Sequence, residues 1–285
     1  MECAITAKEQ QHFSCDLIQE AKNHVAFLQA LHSSGITTQK LTVESLRRYS
    51  KLWLPLIHHH YKSLNHMDDK NESTSKKGLI PPKDIAWLWH CHRLAPYRYA
   101  QHIEKMFLGK GKDNSHEEES KSLASQPTRD LLVLDPEFPF TFQLPNNTKN
   151  ETFDKPKHDS SAHYTKRLWE ELYPTEAFFV EQEQKENDNC MEEFGKDLHL
   201  SGFYLLESCE RQATFLWQVS QINLDDNEFL LQGVENYYKF VSLMKKGDKR
   251  PRFLVPTYQI DLMWHTHILN SIRMYHKDCM KITGL

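Results

Sequence analysis

Hydrophobic residues recur at helical spacing through most of the long segments of the chain. From Thr6 to Gly35 they fall about every third or fourth position, after a capping-box pattern at the start. A second periodic segment begins near Thr42, and Pro55 within it is expected to kink or divide the helix. Later segments, including 205–219, show the same periodicity. The pattern therefore predicts a mainly α-helical protein.

Short extended segments and polar stretches separate these predicted helices. Four brief apolar runs read as extended, at 131–134, 138–142, 174–180 and 253–256. Residues 109–129 contain almost no apolar side chains, which predicts a mobile insertion, and residues 145–160 read as a polar linker. We therefore predict a first domain at 1–144 and a second at 161–285.

A tetrapeptide, Trp-His-x-His, occurs twice, and we call its two occurrences the first signature (Trp89–His92) and the second signature (Trp264–His267). At the 175-position offset that aligns them, similarity extends to five flanking pairs: Leu79 with Leu254, Pro81 with Pro256, Ile85 with Ile260, Leu94 with Leu269, and Arg98 with Arg273. An aromatic-rich helix precedes both copies. The sequence thus predicts two degenerate helical repeats packed as a pseudo-symmetric pair.

Composition and charge narrow the classes of partner. The 285-residue chain has a net charge of -4, so it lacks the basic field that draws proteins onto nucleic acid or anionic membranes. No segment is apolar for long enough to cross a membrane, and the first residues do not resemble a signal peptide. We expect a protein of the cell interior, in the cytoplasm. The sequence does not identify its partner and leaves another protein as one candidate. The six cysteines contain no C-x-x-C pair and are expected to be reduced thiols.

The residues around both signatures carry a family resemblance. Four blocks of sequence resemble, in the same order, those of the glycine-rich domain protein (GRDP)-like family: LIPPKDIAWLWHCHRLAPYRY, LWEELYPTEAFF, LWQVSQ and FLVPTYQIDLMWHTHIL. The resemblance covers nearly the whole chain. It implies a role in stress and hormone responses and does not imply a particular reaction.

Imidazole groups at two signatures raise the hypothesis of a transition-metal site, for example for zinc. Residues two apart on a helix point about 200° apart, so His90 and His92 could not bind one ion together. Asp261 and His265 share a helical face, and the predicted ligands are therefore His90, His265 and Asp261. Only the second copy has this acid, because Ala86 stands at the matching position in the first copy.

The sequence favours a structural reading of the signatures over a metal site, because H-x-H alone is a weak signal and the first copy lacks the matching acid. One histidine of each pair would be buried and hydrogen-bonded among the tryptophans, and the other would contact backbone. Arg98 and Arg273 either pair with carboxylates or bind an anion. The sequence contains no phosphate loop, G-x-S-x-G or H-E-x-x-H motif. It favours a non-enzymatic regulatory or interaction module, with a metal-binding protein or metal-dependent enzyme as the alternative.

Overall fold

The computed structural model describes residues 12–36, 41, 43–64, 78–107, 135–145, 160–180, 205–219, 222, 227–244 and 254–284. The predicted mobile insertion at 109–129 lies outside these ranges, and so does nearly all of the predicted linker at 145–160. The extended run predicted at 131–134 is outside them as well.

Helices dominate the described residues, which contain no β-strand and a single bridge between Pro82 and Gln143. The mainly α-helical prediction is confirmed. No helix within the described ranges is both long and apolar enough to cross a lipid bilayer. The α-helices are α1 (Leu17–Ser33), α2 (Val43–Arg47), α3 (Leu54–Leu64), α4 (Lys83–Arg93), α5 (Pro96–Phe107), α6 (Ser161–Leu172), α7 (Leu205–Val219), α8 (Asn227–Ser242), α9 (Tyr258–Asn270) and α10 (Ile272–Thr283).

The first described helix begins later than the periodicity predicts. Its N-cap is Asp16, whose carboxylate accepts hydrogen bonds from the amides of Ile18 and Gln19 at 3.1 Å each. Residues 12–15 form turns and bends, so Phe13 is outside the helix although it is buried. A short acceptor side chain at the N-cap satisfies amides that the helix leaves unpaired, which fixes the start at Leu17.

The helix predicted from Thr42 continues past Pro55 by means of a π-helical turn, Arg48–Trp53, that joins α2 to α3. The amide of Leu54 bonds to the carbonyl of Tyr49, five residues back. Proline lacks an amide hydrogen, and its ring clashes with the carbonyl four residues earlier in a regular α-helix. The widened turn just before Pro55 changes that spacing, so the predicted kink or division takes the form of a π-turn.

The segments predicted to be extended are irregular rather than strand-forming where they are described. The only pairing is near residue 143, where the Gln143 amide donates to the Pro81 carbonyl at 2.9 Å and its side chain donates to the Ile80 carbonyl at 2.8 Å. Residues 174–179 form turns and bends, and residues 254–257 lead directly into α9. Phe140 has a φ of 46°, an unusual value for a residue with a side chain.

The chain divides into two compact units. The terminal unit consists of Met1–Ser34 and Arg211–Leu285 and contains the second signature, whereas the central unit, Gly35–Glu210, contains the first. The division of the sequence at 145–160 was predicted from the polar composition of that stretch and stays a prediction. In the terminal unit, α1 packs on α9, so the first helix of the chain supports the second signature.

Candidate functional site

The first signature lies on α4, and its second histidine is held by a tyrosine from the π-turn. His92 is 1% exposed, and its Nδ1 lies 2.8 Å from the hydroxyl of Tyr49. The edges of Tyr49 and Tyr99 both meet the His92 ring, and Tyr99 accepts a hydrogen bond from Trp89 Nε1 at 3.4 Å. Burial, reinforced by the neighbouring His102, lowers the pKa of His92 well below its ordinary value.

Two buried arginines surround this signature, and the sequence pattern did not indicate either one. Arg93 is fully buried, binds Asp135 Oδ1 at 2.9 Å and the Pro136 carbonyl at 2.6 Å, and lies over the Trp89 ring. Arg48 bonds to Asp84 Oδ2 at 3.3 Å. It also donates to two carbonyls in the 174–180 segment and covers Trp169. Buried guanidinium groups with this many acceptors fix local structure.

The second signature lies on α9, and its second histidine is part of a hydrogen-bonded chain. His267, 1% exposed, has Nδ1 3.1 Å from the Tyr237 hydroxyl and Nε2 3.2 Å from Asp278 Oδ2. Ser14 donates to the same carboxylate through its amide and its hydroxyl, each at 2.6 Å. Because a carboxylate only accepts hydrogen bonds, Nε2 of His267 donates to Asp278, and Nδ1 on the other side of the ring faces the Tyr237 hydroxyl.

The charge of Asp278 is stabilised by these donors. Burial raises the pKa of its carboxyl, but the hydrogen bonds from His267 and Ser14 together outweigh that effect, so the pKa of Asp278 lies below its ordinary value. Burial raises the pKa of Tyr237 well above its ordinary value, which keeps the phenol protonated and able to donate.

Each signature makes the same two contacts with a tyrosine of the following helix. In the terminal unit the Tyr275 edge meets the His267 ring, as Tyr99 meets His92, and Trp264 Nε1 donates to Tyr275 at 3.0 Å. These tyrosines are 176 positions apart, not 175, because the second copy has one more residue between the signature and the next helix. The equivalence of Arg98 with Arg273 was predicted from the ungapped offset of 175 and stays a prediction. The matching environments agree with the predicted repeat.

The first histidine of each signature lies in a different setting. His90 is fully buried and stacks on Trp87 at 5.0 Å between ring centroids. His265 is half-buried against the edge of Phe215, and burial lowers its pKa to about 4. Asp261, one turn earlier on α9, is also half-buried, and burial raises its pKa to about 6. Neither shift has the other residue as a cause.

The predicted metal ligands are spread over both compact units, His90 in the central unit and Asp261 and His265 in the terminal one. Within the described residues of the chain, no three histidine, cysteine or acidic side chains are arranged to hold a metal ion. A zinc site made of these three residues stays a prediction. The predicted anion-binding or structural arginines are half-buried at Arg98 and exposed at Arg273, and their role also stays a prediction.

Sequence reasoning found the signatures but missed the residues that complete them. The tyrosines that bind the second histidines, Tyr49 and Tyr237, lie on preceding helices at an offset of 188 positions, so no single ungapped alignment could match them. Asp278 and Ser14 are 264 positions apart. A tyrosine on the helix before each signature is the shared signal, and an alignment that allows gaps could have revealed Tyr49 and Tyr237.

Comparison with known proteins gives the family. No solved structure matches the chain. Glycine-rich domain-containing protein 1 of Arabidopsis thaliana is 30% identical over 274 residues, and glycine-rich domain-containing protein 2 of the same plant is 31% identical over 274 residues. Each match covers 95% of this chain but only 28% and 29% of the two relatives, so the chain spans less than a third of their length. The family model described as glycine-rich domain-containing protein-like matches residues 2–102 and 110–278, and the chain belongs to that family.

Proposed function

We propose that the chain is a non-enzymatic interaction module of a regulatory pathway, in which the two signatures maintain the fold and a protein partner binds elsewhere. The proposal depends on the burial of the second histidine in each signature. His92 and His267 are each 1% exposed, and each is hydrogen-bonded to a buried tyrosine. A histidine that exchanges protons with a substrate has to reach it. These two are better suited to holding helices together.

Exposed apolar side chains offer contact area for such a partner. On α7, Trp217 is 57% exposed, and at the start of α9 Tyr258 is 56% exposed. Large aromatic side chains in water are the groups that contribute most to protein interfaces when a partner covers them. Both residues belong to the terminal unit.

A site-specific cross-linking experiment tests the proposal. A photoreactive phenylalanine replaces Trp217 in the full chain, and the matched control carries it at Glu171, which is 65% exposed on a charged helix surface. We expect irradiated cells to give a discrete cross-linked protein adduct at position 217 and none at 171. Absence of an adduct at 217 and also at position 258 would contradict binding through these aromatic residues.

The alternative prediction is metal binding through His90, His265 and Asp261. Its support is the burial of Asp261 and His265 one helical turn apart, since both groups are deprived of water and could gain from a cation. Elemental analysis of chain purified without an affinity tag separates the two ideas. The interaction proposal expects less than about 0.2 equivalents of any transition metal, and a value near one that Asp261→Asn abolishes would favour the metal site.

A further inference from the structure

The last helix of the chain, α10, presents positive charge on its outward face. Arg273, Lys277 and Lys281 are all exposed, and they follow one another at intervals of four residues. Side chains four apart lie on the same face of a helix, about 6 Å from one another along its axis. We call these three residues the basic stripe, and the exposed ring of His276 lies next to it.

No acidic side chain of α10 accompanies the basic stripe. The helix contains one acid, Asp278, which is 3% exposed and points inward, where Ser14 and His267 bind it. Among the residues that the structure describes, neither Lys277 nor Lys281 has an ion-pair partner. The outward face of α10 is therefore positive, without a negative group of its own.

Three other surface cations are arranged differently. On α6, Lys166 and Arg167 each lie 3.8 Å from a glutamate one turn later. On α8, Lys239 pairs with Glu235 in the same way. Such pairs offset charge locally, whereas the two lysines of the basic stripe have no such pair and keep a positive potential in a chain whose net charge is -4.

The helix dipole does not account for the basic stripe. A positive charge near the C-terminus of a helix is favourable, which explains Lys281 in the last turn. Arg273, however, is the second residue of α10, at the end where the dipole disfavours a cation. The positive charges therefore follow the outward face of the helix along its whole length.

We infer that the basic stripe binds an acidic segment of a protein partner. This inference rests on the proposed function, since it names the chemistry of the partner of an interaction module. Carboxylates on every second residue of an extended segment, or on every fourth residue of a helix, have a spacing close to that of the stripe. Met280, 38% exposed on the same face, adds an apolar contact. Charge complementarity of this kind speeds association and selects the partner.

Two other anionic partners fit this face less well. A helix that binds at a membrane surface inserts a broad apolar face into the lipid, but the apolar face of α10 packs against α8 and α9. Single-stranded nucleic acid is bound by aromatic side chains on which its bases stack. The exposed residues of α10 include no phenylalanine, tyrosine or tryptophan.

Binding of a fluorescein-labelled oligo-glutamate peptide to the full chain tests the inference, with fluorescence anisotropy as the measurement. We expect binding at about 50 mM salt that weakens as salt is added, and no binding of oligo-glutamine of the same length. Lys277→Gln together with Lys281→Gln should weaken binding about ten-fold, because both uncompensated cations are lost. Replacing the same two lysines by arginine should preserve binding.

The matched control is Lys166→Gln together with Arg167→Gln, which removes the same charge from α6. It should change the affinity for oligo-glutamate less than about two-fold, because those cations already have partners. Equal weakening by the two double variants, or no binding to the unaltered chain, would overturn the inference. Tighter binding of phosphatidylserine vesicles or of a single-stranded oligonucleotide through Lys277 and Lys281 would also overturn it.

Cross-linking in cells separates this inference from the proposed function. A photoreactive phenylalanine at Met280 should give an adduct whose cross-linked peptide is rich in aspartate and glutamate, and Lys277→Gln together with Lys281→Gln should remove it. An adduct at Trp217 that persists in that variant, with none at Met280, would overturn the acidic partner and leave the interaction role standing. No adduct at positions 217, 258 and 280 would overturn both.

Discussion

The two signatures share a set of aromatic contacts but differ in the charges around it. In the central unit Arg93 forms a buried ion pair with Asp135, whereas Ile268 stands at the corresponding place in the second signature. The Arg48–Asp84 ion pair likewise has a neutral counterpart, because Asn236 donates to the Gln259 side chain at 3.0 Å. The Arg48–Asp84 and Asn236–Gln259 pairs each join the segment before the signature helix to the first turn of that helix.

The group that faces the second histidine of each signature also differs, because it is a charged carboxylate in the terminal unit and a neutral imidazole in the central unit. His267 meets the Asp278 carboxylate, whereas His92 meets the ring of His102 at 5.2 Å between centroids. In both copies, however, Nδ1 of the histidine lies within hydrogen-bond distance of a tyrosine hydroxyl. The comparison teaches that a tyrosine hydroxyl orients the histidine in both copies. The charged groups around these shared tyrosine and tryptophan contacts differ between the copies.

The largest expected difference concerns the signature tryptophans. Trp89 is 1% exposed and packs on Trp53, while Trp264 is partly exposed. We expect Trp89→Ala to lower the free energy of unfolding by about 3 to 5 kcal/mol and Trp264→Ala by roughly half as much, because the loss follows the apolar surface buried. Urea unfolding of both variants measures this. Equal losses would mean that the two sites are packed alike.

Removing the buried cation tests whether charge is essential to the central unit. We expect Arg93→Ile, which copies the residue of the second signature, to cost about 3 kcal/mol, because Asp135 then remains buried without its partner. Adding Asp135→Asn should recover at least half of the loss in the same unfolding assay. Failure of the double variant to recover would place the cost in packing instead of charge.

The dependence of stability on pH distinguishes the contribution of Asp278 in the terminal unit from that of His102 in the central unit. We expect Asp278→Asn to cost about 2 kcal/mol at neutral pH, since it removes a charged acceptor of three hydrogen bonds. The pKa of Asp278 is lowered in the folded chain, so its contribution is complete above the unfolded value of about 3.9 and is lost as the pH falls through the folded value. The difference between wild type and variant should shrink below about pH 4.

His102 provides the matching measurement in the central unit. Burial lowers the pKa of His102 to about 4, so the unfolded chain binds a proton before the folded chain does. Stability should therefore fall as the pH drops from about 6.5 to about 4. His102→Gln should reduce the slope of melting temperature against pH in that range, to which His265 also contributes because its pKa is lowered to about 4, whereas Asp278→Asn should leave the slope unchanged. The comparison would be contradicted if Asp278→Asn changed the slope between about pH 6.5 and pH 4 and His102→Gln did not.

The smallest expected effect tests the contact that both copies share. Tyr49→Phe and Tyr237→Phe each remove one hydroxyl that bonds to a buried histidine, and we expect each to cost about 1 kcal/mol. Thermal melts of the two variants should agree closely. A much larger loss for either one would show that the two contacts are not equivalent.

Periodicity was enough to predict where helices occur, and it failed where a local or distant polar contact decided the outcome. The helix at 205–219 was predicted with the bounds it has. The start of α1 was wrong because Asp16 supplies a cap that interrupts the apolar periodicity. A fully buried arginine such as Arg93 runs against the usual exposure of charged residues, and its acceptor Asp135 is 42 positions away, so composition could not reveal the pair.

The candidate site could be predicted only in part, for a related reason. The signatures themselves are contiguous, and Asp261 and His265 do share one helix as expected. Their hydrogen-bond partners come from other helices at offsets that vary between the copies, and only the folded chain fixes those offsets.

The π-turn before Pro55 contains one residue more than the matching stretch of helix before the second signature. Tyr49 and Trp53 contact His92 and Trp89 from four positions apart, while Tyr237 and Phe240 make the matching contacts from three. A widened turn absorbs one extra residue without rotating the rest of the helix away from its neighbours. Shortening this stretch by the exposed Lys51, together with Pro55→Ala, should therefore restore the spacing of the other copy instead of unfolding the unit.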